Sequence, residues 1–424
     1  MGYGNLGDAA TQDALIANIR KRVPDAVFIG FSLNPDDTRE RHHIPCYPIK
    51  RWYPALARSA GSGLPGRPRR SRLKALLKRT PLVRGAGRRA WHLAQELAHI
   101  ARSYRILRSL DSLIVAGGGQ LGDLWKGPWS HPYNVFKFAL LARIARKPLI
   151  FVNVGAGPLG HPLSRFFVKS AIRLADYVSF RDVESQQLVR SLGVKTASHV
   201  FPDSVYALDI PEQETVRREA SRPLVGLNPM GFADPRIWPH QDDSVYSSYL
   251  DKLVAFSLWL LSRNYRLKIF TSDLSVDVYA IEDLKRRLQN RLPARVVDEI
   301  VGPPAKHVND LIAEMSTFDF VITSKFHGVV FSHLLEKPVI ALSYHNKIDD
   351  LMRAVGHSQY CLDIGSFDGE RLMNAFISLE EDARDLRSRF REASAARAET
   401  LRLQFDDVFV PEYLQAHARI PLAS

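Results

Sequence analysis

Short apolar runs alternate with amphipathic stretches along almost the whole chain, and this alternation restricts the fold more than any single residue does. Apolar runs at 112–116, 149–154, 177–180, 224–227, 267–270, 318–323 and 338–343 are the length of strands rather than helices. Between them, helical spacing predicts helices at 91–110, 133–146, 162–175, 183–192, 244–262, 276–290, 306–315 and 327–335. Strand–helix–strand repetition of this kind builds parallel sheets covered by helices. At the start, Asp8 is expected to cap a helix running from Ala9 to Arg22, and 26–31 reads as a strand. The segment 35–80 is rich in Pro, Gly and Arg and is expected to be loop with short helices. The last long helix is predicted at 379–403.

With 424 residues the chain exceeds what one ordinary core organises. A polar stretch at 211–222 reads as a linker, after which the pattern restarts. The expected organisation is an N-terminal Rossmann-like domain at 1–210 with a basic insertion at about 35–90, and a C-terminal Rossmann-like domain at 223–380. Residues 381–424 form a C-terminal helix and tail placed to pack back on the N-terminal domain. The fold class is therefore α/β, with two Rossmann-like domains facing a cleft in a GT-B-like arrangement. Ligands in such sheets lie beyond the carboxyl ends of the strands.

No apolar run reaches the roughly 20 residues of a membrane-spanning helix. Met1 to Asp8 has neither the basic nor the apolar region of a signal peptide, so a cytoplasmic location is expected, peripheral to the inner membrane face if the basic segment binds there. Two cysteines, Cys46 and Cys361, offer no disulfide framework or zinc spacing. The net charge of +13 is concentrated: residues 50–108 hold 16 Lys and Arg against the single acid Glu96. This block reads either as contact with an anion (a membrane surface, a lipid-linked sugar phosphate or nucleic acid) or as a solvated insertion.

Several strand ends carry chemistry. Gly2-Tyr3-Gly4-Asn5-Leu6-Gly7-Asp8 is a glycine-rich loop opening a helix, which suits anions, although no strand precedes it; either the start lies upstream or a first strand has been lost. Gly117-Gly118-Gly119, followed by Asp123, ends a strand as a loop expected to face ligand, with Gly155-Ala156-Gly157-Pro158 beside it. Arg181 at another strand end suits bidentate binding of a carboxylate or phosphate, whereas Asp182 reads as a helix cap. Asp203 is a turn residue or a cleft carboxylate. In the second half, Asn228 follows a buried strand and Thr271-Ser272-Asp273 does the same one unit later. Ser324-Lys325-Phe326-His327-Gly328 brings a hydroxyl, a cation and a titratable imidazole to one strand end where a helix begins. Ser343-Tyr344-His345-Asn346-Lys347 adds polar groups beside the same cleft, while His333 reads as packing.

In this order, Gly4-Asn5-Leu6-Gly7-Asp8, Gly117-Gly118-Gly119 with Asp123, Arg181-Asp182 with Ser185, Pro202-Asp203 and Ser324 to Gly328 followed by Lys337-Pro338-Val339-Ile340 resemble the polysaccharide pyruvyl transferases. Lys325 stands where many members carry Arg, keeping the charge but not the bidentate geometry. The resemblance implies transfer of a pyruvyl group from phosphoenolpyruvate to a sugar of a surface or exopolysaccharide precursor, as a ketal, with release of phosphate. It implies phosphoenolpyruvate as co-substrate rather than a bound cofactor, no metal, and a sugar or lipid-linked oligosaccharide as acceptor. The catalytic residues it implies are His327, Lys325 and Arg181. Substrate-binding residues would be Asn5, Gly117, Gly118, Gly119, Asp123, Asp203, Asn228 and Ser324. The segment 50–108 would make peripheral membrane contact, and no nucleic acid is expected. Two other functions compete: a GT-B glycosyltransferase using a nucleotide sugar, and a non-catalytic anion-binding protein.

Overall fold

The computed structural model describes residues 4–51, 81–124, 127–210 and 222–406. Most of the expected linker, the 52–80 part of the basic insertion and the tail beyond 406 lie outside the described residues.

In chain order the N-terminal half runs α1 (Leu6–Arg22), β1 (Gly30–Ser32), α2 (Pro35–His42), β2 (Cys46–Pro48), α3 (Pro81–Arg108), β3 (Leu113–Val115) and β4 (Gly118–Leu121). It continues through α4 (His131–Ile144), β5 (Leu149–Ala156), α5 (Pro162–Arg173), β6 (Tyr177–Phe180), α6 (Val183–Ser191) and β7 (His199–Val200). The strands pair in parallel in the order β3-β5-β6-β7, with β4 alongside the end of β5.

After a short 3-10 turn, Ser204–Ala207, the second half holds β8 (Leu224–Asn228), α7 (Asp243–Ser262), β9 (Arg266–Ile269), α8 (Asp277–Gln289), α9 (Ala294–Val301) and α10 (Val308–Ser316). Then come β10 (Phe320–Thr323), α11 (Phe326–Leu334), β11 (Val339–Ser343), α12 (Asn346–Arg353), β12 (Cys361–Asp363), α13 (Gly369–Glu381) and α14 (Ala383–Leu403). Its parallel sheet has the order β12-β11-β10-β8-β9. Two parallel α/β halves are what the alternation of apolar runs predicts.

Strand β5 shows how sequence sets this packing. All eight residues are buried, as expected of a strand covered on both faces. Ile150 and Val152 join Leu15 and Ile19 of α1 on one face, while Phe151 and Val154 join α4 and α5 on the other. Strict alternation would put Val152 and Val154 on the same side; the register shift between Phe151 and Val154 changes the parity. Asn153, at φ +50°, is the displaced residue, and the Ser179 hydroxyl accepts its amide hydrogen at 2.9 Å. The bulge delivers Gly155 and Ala156 to the cleft.

The halves interlock at both chain ends. Leu6, Ala9 and Ala10 of α1 belong to the core of the second half, whereas Leu15 and Ile19 belong to the first. The 4–6 segment pairs with the loop after β9: Leu6 N donates to Ser272 O at 2.7 Å and Leu274 N to Gly4 O at 2.9 Å. Beyond α14, Gln404 enters the N-terminal half and bonds Asn153, Tyr177 and Ser179.

Local expectations change in five places. The strand expected at 26–31 shrinks to β1 and pairs with β2 instead of the main sheet. Asn5, not Asp8, caps α1, its Oδ1 accepting from Asp8 N at 3.0 Å. Helix α3 spans Pro81–Arg108 and so includes ten residues ahead of the predicted start, among them Gly85 and Gly87, whose low helix propensity hid them. Gly118 and Gly119 sit in β4 and not in an open loop. The last helix is two, α13 and α14, meeting at Asp382.

Candidate active site

Arg181 follows β6 and lies flat. A Cβ on Gly155 would stand 2.8 Å from its Nε and 3.1 Å from its Cζ, so only glycine admits the guanidinium over the β5 backbone. On its other side the Phe326 ring centroid is 4.4 Å from Cζ, a cation–π stack between a residue of each half. Arg181 Nη1 donates to Asp203 Oδ2 at 3.1 Å. The same carboxylate oxygen lies 3.7 Å from His327 Nε2. Asp203 is buried, and although desolvation works to raise its pKa, His327, Arg181 and the Val205 amide outweigh it and hold the carboxyl well below the usual range. Asp203 is thus a cleft carboxylate that also caps the following turn.

His327 packs between Asp203 and α1. A methyl on Gly7 would overlap the imidazole at Cγ and Nδ1, so any side chain there would displace His327. Arg181 Nε and His327 Nε2 are both buried without a hydrogen-bond partner. Arg181 Nε faces Asp182 Oδ2 at 3.6 Å, beyond hydrogen-bond reach, so each buried nitrogen keeps capacity that a ligand oxygen could satisfy.

Lys325 behaves differently from expectation. Rather than standing free for an anionic ligand, its ammonium lies 3.0 Å from Asp277 Oδ1 and 3.4 Å from Asp273 Oδ2. Two carboxylates share one cation. Burial pushes the Asp277 carboxyl up to about 7, with Lys325 opposing and Asp273 adding to the rise. The lysine stays charged, because the pull of the two carboxylates exceeds the cost of its burial.

The cation that does approach Arg181 is Lys347. Its Nζ donates to Ala156 O at 2.8 Å, joining the second half to the end of β5. Burial, reinforced by Arg181, lowers its pKa to about 8. His345 caps α12 just before it, Nδ1 accepting from Lys347 N at 3.2 Å.

The remaining candidates divide. Asn228 and Ser324 are buried at the β8 and β10 ends. Asn228 accepts from Thr323 Oγ1 at 3.0 Å and donates to Phe270 O at 3.1 Å, while Ser324 Oγ meets Tyr249 OH at 3.2 Å. These bonds set the turn that carries Lys325 and His327. Asn5 spends its amide group on Asp273 Oδ2, at 3.3 Å, in addition to its cap. Asp123 accepts from the amides of Gly160 and His161 at 3.1 and 2.9 Å, which fixes the neighbouring loop. Gly117 has Asn153 O and a Thr11 methyl within 2.9 Å of its missing Cβ, so its reason is close packing. A Cβ on Gly119 would meet nothing within 4 Å, and Gly119 is exposed whereas Gly117 and Gly118 are buried.

Sequence reasoning missed Asp277 and the packing of Gly7 on His327, and it noted Asp273 and Lys347 without a role. The signal for Asp273 was its place after β9, parallel to Ser324 after β10. Asp277 carried none, because an acid in a first helical turn is ordinary.

A family model described as polysaccharide pyruvyl transferase matches residues 5–346. Among solved structures, the chain is similar to HepE from Anabaena in complex with UDP, at 14% identity and a TM-score of 0.52, covering 96% of this chain and 95% of that one. It is also similar to a putative UDP-N-acetylglucosamine 2-epimerase from Listeria monocytogenes, at 11% identity and a TM-score of 0.53, covering 96% of each chain. The epimerase of Neisseria meningitidis bound to UDP-GlcNAc matches at 12% identity and a TM-score of 0.53, over 94% of this chain and 97% of that one. These likenesses establish the GT-B fold.

Proposed function

We propose that this chain, which belongs to the polysaccharide pyruvyl transferase family, uses phosphoenolpyruvate to place a pyruvyl ketal on a sugar of a surface or exopolysaccharide precursor. The observation that carries the reading is the row Phe326–Arg181–Asp203–His327, in which a stacked guanidinium and an imidazole share one carboxylate across the cleft.

Arg181 and Lys347 bracket the end of β5 and suit the carboxylate and phosphate of phosphoenolpyruvate. An anion there would satisfy the orphaned Arg181 Nε and favour the charged form of Lys347. In the reaction a first sugar hydroxyl bonds to C2 of the enol while C3 gains a proton and becomes methyl. A second hydroxyl then bonds to C2 as the C2–O bond to phosphate breaks. Two hydroxyl protons are released; one balances the proton at C3 and the other leaves with phosphate. In this reading His327 moves these protons, with the Asp203 carboxylate 3.7 Å from its Nε2. Lys325, tied to Asp273 and Asp277, acts by fixing the turn before His327 rather than by meeting the ligand.

The test is phosphate release from phosphoenolpyruvate across a panel of free and lipid-linked glycans, with UDP-sugars in a parallel arm. Release that requires phosphoenolpyruvate and an acceptor, and that falls about 10²–10⁴-fold in His327→Ala with the melting temperature kept, supports the reading. Turnover of a UDP-sugar without phosphoenolpyruvate would replace it with nucleotide-sugar transfer, and anion binding without turnover would leave a binding protein.

A further inference from the structure

One face of the N-terminal half is not used by the cleft. Helices α3, α4 and α5 cover the sheet on the side away from α1, and their outer surface carries large apolar side chains where a soluble helix layer is normally polar. On α4 the row Phe136, Leu140, Ile144 follows an i, i+4 line, with Leu140 and Ile144 42% and 57% exposed. Trp129 and Phe166 extend it at 64% and 55% exposure, each ring within 6.0 Å of another aromatic ring of the same layer. Glu96 ties α3 to α4 through Tyr133 and Lys137 at 3.0 and 3.1 Å, and leaves Leu93 and Leu97 outward. Arginines are interleaved: Arg102, Arg105, Arg143, Arg146 and Arg165 are exposed on the same three helices and their ends.

Exposed Trp, Phe, Leu and Ile interspersed with arginine are the composition of a surface that lies in a bilayer interface, the apolar groups entering the acyl boundary and the cations meeting anionic headgroups. We propose that the α3–α4–α5 face docks this protein on an anionic lipid bilayer. The exposed arginines select lipid of opposite sign, and the aromatic row supplies what a purely electrostatic contact lacks. The face also borders the cleft: Asp123 holds the amides of Gly160 and His161, α5 starts at the next residue, and Trp129 touches Phe167 of that helix. A docked molecule would thus have its cleft rim near the headgroups. The proposal does not rest on the reaction assigned above.

The test is flotation of the full chain with vesicles of phosphatidylcholine alone and of phosphatidylcholine mixed with phosphatidylglycerol, at low and high salt. Expected are binding to the mixed vesicles only, weakening with salt, and a loss of about tenfold or more in the Trp129→Ser/Phe166→Ser double variant. Arg143→Glu/Arg146→Glu, which changes only exposed charges, should lose binding to the anionic vesicles and tests the same face should the aromatic variant fail to fold. Equal binding to both vesicle types, or wild-type binding by either folded variant, overturns the proposal. So does binding of duplex DNA without binding of vesicles, or self-association that either variant abolishes in a protein that ignores vesicles.

Discussion

Gly7→Ala separates stability from activity at one atom. Position 7 lies in the first turn of α1, where alanine is the better helix former by up to about 1 kcal/mol. The added methyl would stand 2.5 Å from His327 Cβ, against about 3.5–4.0 Å for relaxed carbon atoms, so the two must part by about 1 Å. Rotating the imidazole cannot provide this, because the overlap reaches Cβ; α1 or α11 must shift. Overpacking costs about 1–3 kcal/mol, partly offset by the helix gain, so the melting temperature should fall by only a few degrees. The imidazole, however, moves by about 1 Å relative to Asp203 and Arg181, a displacement that can cost about 10² in rate. Phosphate release from phosphoenolpyruvate with a working acceptor, read beside a thermal melt, decides the matter. Gly369→Ala, where a Cβ meets nothing within 4 Å, serves as the control. Wild-type kcat and KM in Gly7→Ala would refute the placement of His327 as the proton carrier.

Arg181→Lys keeps a positive charge but loses the flat stack on Phe326, so KM for phosphoenolpyruvate should rise about tenfold or more in steady-state kinetics. Lys325→Met leaves Asp273 and Asp277 without their shared cation and should lower unfolding free energy by about 3–5 kcal/mol in urea titrations. Asp277, raised to about 7, makes the native state the tighter proton binder. Its contribution to stability is therefore complete below pH 3.8 and disappears as pH rises through about 7, at most about 4 kcal/mol in total. Asp277→Asn should become more stable relative to wild type as pH climbs from 5 to 8 in parallel denaturant titrations. The difference between the two proteins removes the opposing effect of the buried neutral His333 and His357; a flat difference would deny the shift.

Much of this was legible because regular elements announce themselves by period. The buried strands β5, β6, β8, β10 and β11 stand within a residue or two of the apolar runs, and the segment Ser324 to Gly328 sits at a strand end as read. What stayed hidden depends on partners distant in sequence. Nothing local tells that Lys325 will find Asp273 and Asp277, which sit 52 and 48 residues earlier, or that Asn5 will close on Asp273. Gly7 reads as a turn glycine, yet its reason is an imidazole from the other half. The parity change at Asn153 was equally invisible, because a bulge inside an uninterrupted apolar run leaves the run looking the same.

The crossed chain ends bear on how this molecule can be divided. With the first turn of α1 buried in the second half and Gln404 bonded inside the first, a cut in the 211–221 connection would not release two self-contained pieces. Each fragment would expose a socket shaped for the other's terminus. Coexpressed fragments should therefore reassemble into an active pair, whereas a chimera that exchanges one half with a relative would need its terminal helix exchanged as well.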